Sequence, residues 1–343
     1  VGAELADVVL ERLFFRDLAN DYPELPPIRQ AAYGAAGVSA EQMPLATYVG
    51  QPPCDTGRAL ELQAYVVVPR TKAGCVTTLP ATAELPAAKL VEIDGYRHLY
   101  ASGFTGLQGS TQAGRSFTDQ CDALFRHGAH LLRDLGASFS HVLRTWCYLL
   151  DIDRDYDSFN TSRNQFFQSE GIDRLPSSTG IGAQLHPADA LCGLDLYALL
   201  NPEAATIEVM HASTLNEAPE YGSSFSRGMK LCLPDKTLLF VSGTASVDEA
   251  GATVHEGDAR RQMQRMLLNV QELLTPQGAR FMDVVQTISY LKTAADYELF
   301  QELIDDRDLG QMPNSIVVAD VCRPELLCEI EMIAVLPAAG SRV

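Results

Sequence analysis

The sequence predicts an α+β chain in which one mixed unit occurs twice, each copy a mixed sheet with helices packed on one face. Three observations carry this reading. A long stretch recurs: "LGASFSHVLRTWCYLLDI" (135–152) lies on "QGARFMDVVQTISYLKTA" (277–294), with Gly136 on Gly278, Phe139 on Phe281, Val142 on Val284 and Thr145 on Thr287. Each copy then runs through the same alternation of strand and helix periods. Finally, 343 residues that are 46% hydrophobic can fill more than one core.

The first ninety residues are less regular. "LELQAYVVVP" (60–69) reads as a strand, but the segment matches no full third copy. Residues 1–90 are therefore expected to form an N-terminal segment, at most a partial repeat. Residues 91–205 form the first unit and 206–343 the second. "YASGFTGL" (100–107) and "FVSGTASV" (240–247) are matching strands that end at Ser-Gly. A helix follows: Met263, Met266, Leu267, Val270 and Leu274 fall at helical spacing, and Gly278 closes it. Gln120 and Gln262 match within these helices. A strand spans Val284–Leu291, and a second helix runs from about 294 to 305. "DYDSFN" (155–160) matches "DYELFQ" (296–301) there. Two late strands close each copy: "STGIGAQL" and "LCGLDLYALL" in the first, "SIVVADV" and "LLCEIEMIAV" in the second.

Composition narrows the function classes. No run of about eighteen apolar residues is present, so no membrane span is expected. The net charge of −18 argues against nucleic acid and anionic membranes as partners. A few placed arginines can still hold an anionic small molecule. No secretory signal is visible, although residue 1 is Val. The eight cysteines are scattered with no CxxC, as in reduced cytoplasmic proteins. The seven histidines are isolated. No metal and no cofactor are expected, since no Gly-rich phosphate loop follows a strand.

The last strand raises a chemical question. Alternation puts Leu327, Glu329, Glu331 and Ile333 on one face. The bland answer is a solvated sheet face. The functional answer is a general acid lining a pocket.

The second copy, with "FSRGMKL", "LFVSGTAS", "QRMLLNVQELL", "VVQTISYL" and "CEIEMIAVLP", resembles the small RidA/YjgF fold, also called chorismate-mutase-like. Members of that family form trimers with active sites between subunits, so tandem copies leave room for a pseudo-trimeric arrangement. With "RTWCYLLDI", "LPSSTGIGA", "SGTASVDEAGATVHEGDARRQ" and "VCRPELLCEIE" added, the chain resembles the chorismatase family over roughly residues 90 to 337. Those enzymes cleave the enolpyruvyl ether of chorismate. The resemblance implies pyruvate and 3-hydroxybenzoate as products, with some 4-hydroxybenzoate allowed. The alternatives are hydrolysis to a dihydroxycyclohexadiene carboxylate, or a non-catalytic binding module. The small deaminases carry a substrate-binding arginine where this chain has Asn314 and Ser178, so imine deamination is not implied. The fold's catalytic glutamate falls on Glu329, and its counterpart in the first copy is Gly193. One working site per chain follows.

An enol ether is cleaved by protonating its methylene carbon, which needs an acid that stays protonated near neutral pH. A carboxyl in an apolar pocket meets that need. Glu329 is the candidate, and Glu331 is given no catalytic role. Two substrate carboxylates call for guanidinium groups, with Arg144, Arg163 and Arg227 as candidates and ordinary surface arginines as the alternative. Tyr148 and Tyr221 could donate hydrogen bonds or be plain core tyrosines. Ser178 and Thr179 lie beside glycines that permit close approach to a ligand. By the resemblance, Cys322 and Gly243 mark the 3-hydroxybenzoate-forming type. Changing both is expected to divert the product while leaving ether cleavage intact, with Glu329 untouched.

Overall fold

The computed structural model describes residues 2–68, 74–109, 115–307, 309 and 312–338. The chain opens with β1 (Val8–Phe15), α1 (Leu18–Asp21), α2 (Leu25–Ala35), β2 (Leu45–Gly50) and β3 (Leu60–Val66). Next come β4 (Cys75–Leu79), β5 (Ala88–Ile93), β6 (Tyr96–Thr105), α3 (Phe117–Asp134), β7 (Val142–Leu149), α4 (Ile152–Ser169), β8 (Ser177–Gly182), β9 (Gln184–Leu185) and β10 (Cys192–Leu199). The last part comprises β11 (Thr206–Met210), β12 (Gly228–Cys232), β13 (Lys236–Ala245), α5 (Ala259–Leu274), β14 (Val284–Leu291), α6 (Tyr297–Asp306), β15 (Asn314–Val318) and β16 (Cys328–Pro337).

Two six-stranded sheets have the same topology, β4-β5-β6-β10-β7-β8 and β11-β12-β13-β16-β14-β15. The third sheet, β3-β1-β2-β9, is smaller. In it β1 pairs parallel with β2 and antiparallel with β3. That is the pattern of β14 with β15 and β16, and of β7 with β8 and β10. The N-terminal segment thus repeats the second half of the unit, without its opening hairpin and first helix. This missing half is why the segment matches no full copy in sequence. The first six-stranded sheet begins at Cys75, so the expected division after residue 90 falls inside β5.

The repeated residues have local causes. Ser116 and Asp258 cap α3 and α5, each accepting from the backbone N–H three residues on. The matched glutamines tie those helices to the turn before the last strand of each copy. Gln120 donates to Asp189 O and accepts from Leu191 N, while Gln262 donates to Glu325 O and accepts from Leu327 N. Gln262 thereby fixes the entry into β16. The helices cover the outer faces: Leu124, Phe125, Phe139 and Phe159 fill one core, and Met263, Met266, Leu267, Val270 and Phe300 another.

The inner faces of the three sheets meet in a shared core that includes Phe14, Trp146, Tyr197, Phe240, Ile288 and Tyr290. The sheet edges are sewn together. Ser226 N donates to Pro176 O, joining the β8 edge to the unit of β11–β16, and Cys54 N donates to Ile316 O, joining the N-terminal segment to β15. Among the described residues, no helix is long and apolar enough to cross a membrane.

Candidate active site

Where β8 abuts β13 and β16, a cavity of about 290 Å³ opens. This is close to the lower end of ligand pockets, roughly 300–1,000 Å³. The β13–β16 ladder slips register between Val241 and Thr244, a bulge that turns Gly243 toward β16. Glu329 sits opposite Ala245 on one side and Tyr290 on the other, and its carboxyl lines the cavity.

Glu329 is 4% exposed. Among the described residues, no group donates a hydrogen bond to its carboxyl. Burial and the charge of Glu331 push it up to about 8, against the opposing pull of Arg144 and Arg227. It is an acid near neutral pH. Glu331 is equally buried but in the opposite condition. Its Oε2 accepts from Arg144 Nη2 at 2.9 Å and Tyr290 OH at 3.3 Å, and its Oε1 accepts from Trp146 Nε1 at 2.6 Å. The acidic face of β16 is therefore no solvated face. It carries one buried acid that lines a cavity and one carboxylate in a buried ion pair.

Gly243 has a steric role. A Cβ there would stand 2.1 Å from Glu329 Oε1 and 3.0 Å from its Cδ. The absent methyl group makes room for the acid. The expectation that Glu329 is untouched by a change at 243 is therefore corrected: any side chain there meets the glutamate first. Cys322 lines the same cavity, half-buried. Burial, then the charge of Glu329, pushes its thiol up to about 12, so it is neutral, and it shares a hydrogen bond with Tyr156.

The cavity wall also carries cations. Arg163 of α4 is 3% exposed and has no carboxylate partner among the described residues. Its Nη2 donates to Asn160 Oδ1 at 2.7 Å, its guanidinium lies over Phe159 at 4.8 Å and Phe225 at 5.6 Å, and its Nε has no partner. Arg227 is held by Asn216, donating to its backbone O at 2.7 Å and its Oδ1 at 2.9 Å. Arg323 also lines the cavity, donating to Gly251 O at 2.8 Å. A chain of net charge −18 has here gathered three arginines around the Glu329 acid, with Asp157 also on the wall.

Glu329, Gly243, Cys322, Arg163, Arg227 and Ser178 thus come together in one cavity. Thr179 does not share it with Ser178, because alternation along β8 turns it to the inner core, where it accepts from Arg144 Nη2 at 2.5 Å. Arg144 itself is 1% exposed and spent on Glu331 and Thr179. Tyr148 is buried with its OH on Asp195, the residue that occupies the place of Glu331 in the first copy. Arg144, Thr179 and Tyr148 therefore stand behind the cavity rather than in it, a correction to their expected role in binding. The Tyr221 side chain lies outside the described residues; the backbone there ends a turn over Ala218–Tyr221.

Sequence reasoning missed Arg323, Tyr156 and Asn160. Arg323 is adjacent to Cys322. Tyr156, Asn160 and Arg163 recur at helical spacing on one face of α4, and that polar stripe was the available signal. In the first copy a Cβ on Gly193 would meet the Leu185 side chain at 3.3 Å, so an apolar group fills the counterpart of the acid's space. Among the described residues, no three His, Cys, Asp or Glu side chains converge as a metal site.

Known proteins resemble this chain in sequence and in fold. Residues 216–336 match the family model described as Endoribonuclease L-PSP. A 3-hydroxybenzoate synthase of Streptomyces hygroscopicus is 24% identical over 268 residues, covering 70% of this chain and 76% of the relative. A RutC family protein of Pyrococcus abyssi is 28% identical over 120 residues, covering 34% of this chain and 91% of its own. The crystal structure of a chorismatase superposes with a TM-score of 0.67 at 20% identity, covering 96% of this chain and 93% of that one. The fold is shared over nearly the whole length.

Proposed function

We propose that this chain, a chorismatase-type protein of the RidA-like fold, converts chorismate to pyruvate and 3-hydroxybenzoate. The observation that carries this reading is Glu329: a buried carboxyl, held in its acid form, in a cavity that also offers guanidinium groups. Carbon protonation of an enol ether needs the first, and a dicarboxylate substrate needs the second. The 3-hydroxybenzoate synthase relative supports the choice of product.

Arg163 and Arg227 receive the substrate carboxylates, with Arg323 beside them and Ser178 as a neutral donor. Glu329 gives its proton to the terminal methylene carbon. The resulting oxocarbenium ion faces the new Glu329 carboxylate. The neighbouring ring hydroxyl adds to that cation. The original ether bond breaks, with the hydroxyl's proton passing to the ether oxygen that stays on the ring. The bond from the attacking oxygen to the ring then breaks as the ketone forms. Pyruvate leaves with that oxygen. The ring becomes aromatic by losing a proton, which returns Glu329 to its acid form. The atoms of chorismate divide between the two products with none left over. Gly243 keeps the acid in place, and the neutral Cys322 thiol lies beside the ring.

The working site lies between the two six-stranded sheets, while the N-terminal segment completes the shared core. The eight free cysteines suit the cytoplasm, and the net negative charge speaks against nucleic acid as a partner. The test is incubation with chorismate and chromatography of the products. Pyruvate and 3-hydroxybenzoate in equal amounts are expected, and no consumption of chorismate would end this reading.

A further inference from the structure

Glu331 and Arg144 are left without a task by the chemistry above, yet they are buried together at considerable desolvation cost. The pair is built across two repeats: Glu331 comes from β16, and Arg144 and Trp146 come from β7. All of the carboxylate's contacts are donors, one of them charged. Arg144 is fixed in turn, donating to Thr179 and lying over the Trp146 ring at 4.8 Å. Neither residue reaches the cavity, but Glu331 is on the same strand face as Glu329, two positions away.

We propose that Glu331, clamped by Arg144, Trp146 and Tyr290, is a positioning residue whose fixed charge keeps the Glu329 carboxyl in its acid form and available to the cavity, with Arg144 holding that charge in place and limiting its effect. The inference rests on the reading of Glu329 as the proton donor. A carboxylate locked by three donors cannot take up Glu329's proton or turn toward it. Its fixed negative charge opposes a second one on the same face. Arg144 limits that opposition, so the two residues act on Glu329 in opposite directions. The sheet does not need this arginine, because the matched position in the other repeat is Gln286.

Other ionisable groups surround the acid. Tyr290 and Cys328 are its neighbours in the sheet. Arg227, Cys322 and Arg323 lie around the cavity, with Tyr156, Asp157 and Arg163 across it on α4. Arg12, Tyr148 and Asp195 stand behind, with the Arg12 guanidinium over Trp146 at 3.8 Å. None of these is fixed to Glu331 by a hydrogen bond except Tyr290, so the pair can be altered with the others left in place.

The test is a direct titration of Glu329 in the substrate-free protein, by the carboxyl infrared band or the carbon resonance that disappears in Glu329→Gln. Glu331→Gln should lower the titration midpoint by about one pH unit or more, a tenfold change in proton affinity. Arg144→Gln should raise the Glu329 titration midpoint, because the opposing positive charge is gone. A scaffold role would reduce turnover without moving the midpoint. An unmoved midpoint in Glu331→Gln, or shifts of the same sign in the two variants, would overturn the proposal. If Glu331→Gln does not fold, Arg144→Gln decides alone, and a midpoint that stays or falls overturns it. Because no substrate is present, this result stands apart from whether chorismate is turned over.

Discussion

Gly243→Ala separates the structural account from a picture in which residue 243 only touches the substrate. The new Cβ would lie 2.1 Å from Glu329 Oε1, where ordinary contact begins at 3.4 Å. The methyl group is anchored to a sheet strand, and the carboxyl is the movable partner. Glu329 must therefore retreat by more than about 1 Å, and a misplacement of that size costs on the order of a hundredfold in rate. Because the displaced atoms are the end of a flexible side chain, the fold should survive. The assay is pyruvate release from chorismate, followed by its reduction with lactate dehydrogenase, with circular dichroism as the check on folding. Activity within about fivefold of wild type in folded Gly243→Ala would refute the steric argument, since it would mean that a displaced acid still reaches the methylene carbon.

Two further outcomes follow from the same site. Arg163→Met should raise KM for chorismate roughly 10- to 100-fold by removing a charge-assisted hydrogen bond, with a smaller effect on kcat; an unchanged KM would remove Arg163 from substrate binding. Glu329 has an ordinary value of 4.5 and is pushed up to about 8 in the fold. The folded chain thus holds this proton more tightly than the unfolded chain. The stabilisation is complete below about 4.5 and is lost as pH rises through about 8. Thermal melts should accordingly show wild type losing stability relative to Glu329→Gln between pH 5 and pH 9, while parallel pH dependences would show that the acid is not buried as described.

Much of this architecture was legible in the sequence because a repeat supplies its own internal comparison. Gly136 on Gly278 and Gln120 on Gln262 marked positions the fold requires, and the structure shows why: the glutamines bind the turn before each last strand. The same comparison exposed Glu329, since an acid on Gly193's counterpart is not needed by the sheet. The half-copy before residue 68 was illegible because its pairing pattern survives while its residues do not. Arg144 shows a different limit. Its absence from the other copy marked it as special, but sequence could not say whether a cation on a strand points into a pocket or into the core. Only the position of Glu331 across the seam decides that. Thr179 fails for a simpler reason: it is one residue from Ser178, and one residue in a strand reverses the face.

The central claim is that a proton from Glu329 reaches the methylene carbon of the substrate. Turnover of chorismate in heavy water, with the pyruvate trapped at once as lactate, tests it most directly. A carboxyl proton exchanges with solvent, so wild type should give lactate with one deuterium in its methyl group, and Glu329→Gln should release pyruvate two to four orders of magnitude more slowly. In a single turnover, begun with the protein equilibrated in heavy water so that Glu329 carries no proton from an earlier ring, a methyl group without deuterium would mean that its third hydrogen came from the substrate's own ring, and Glu329 would not be the acid.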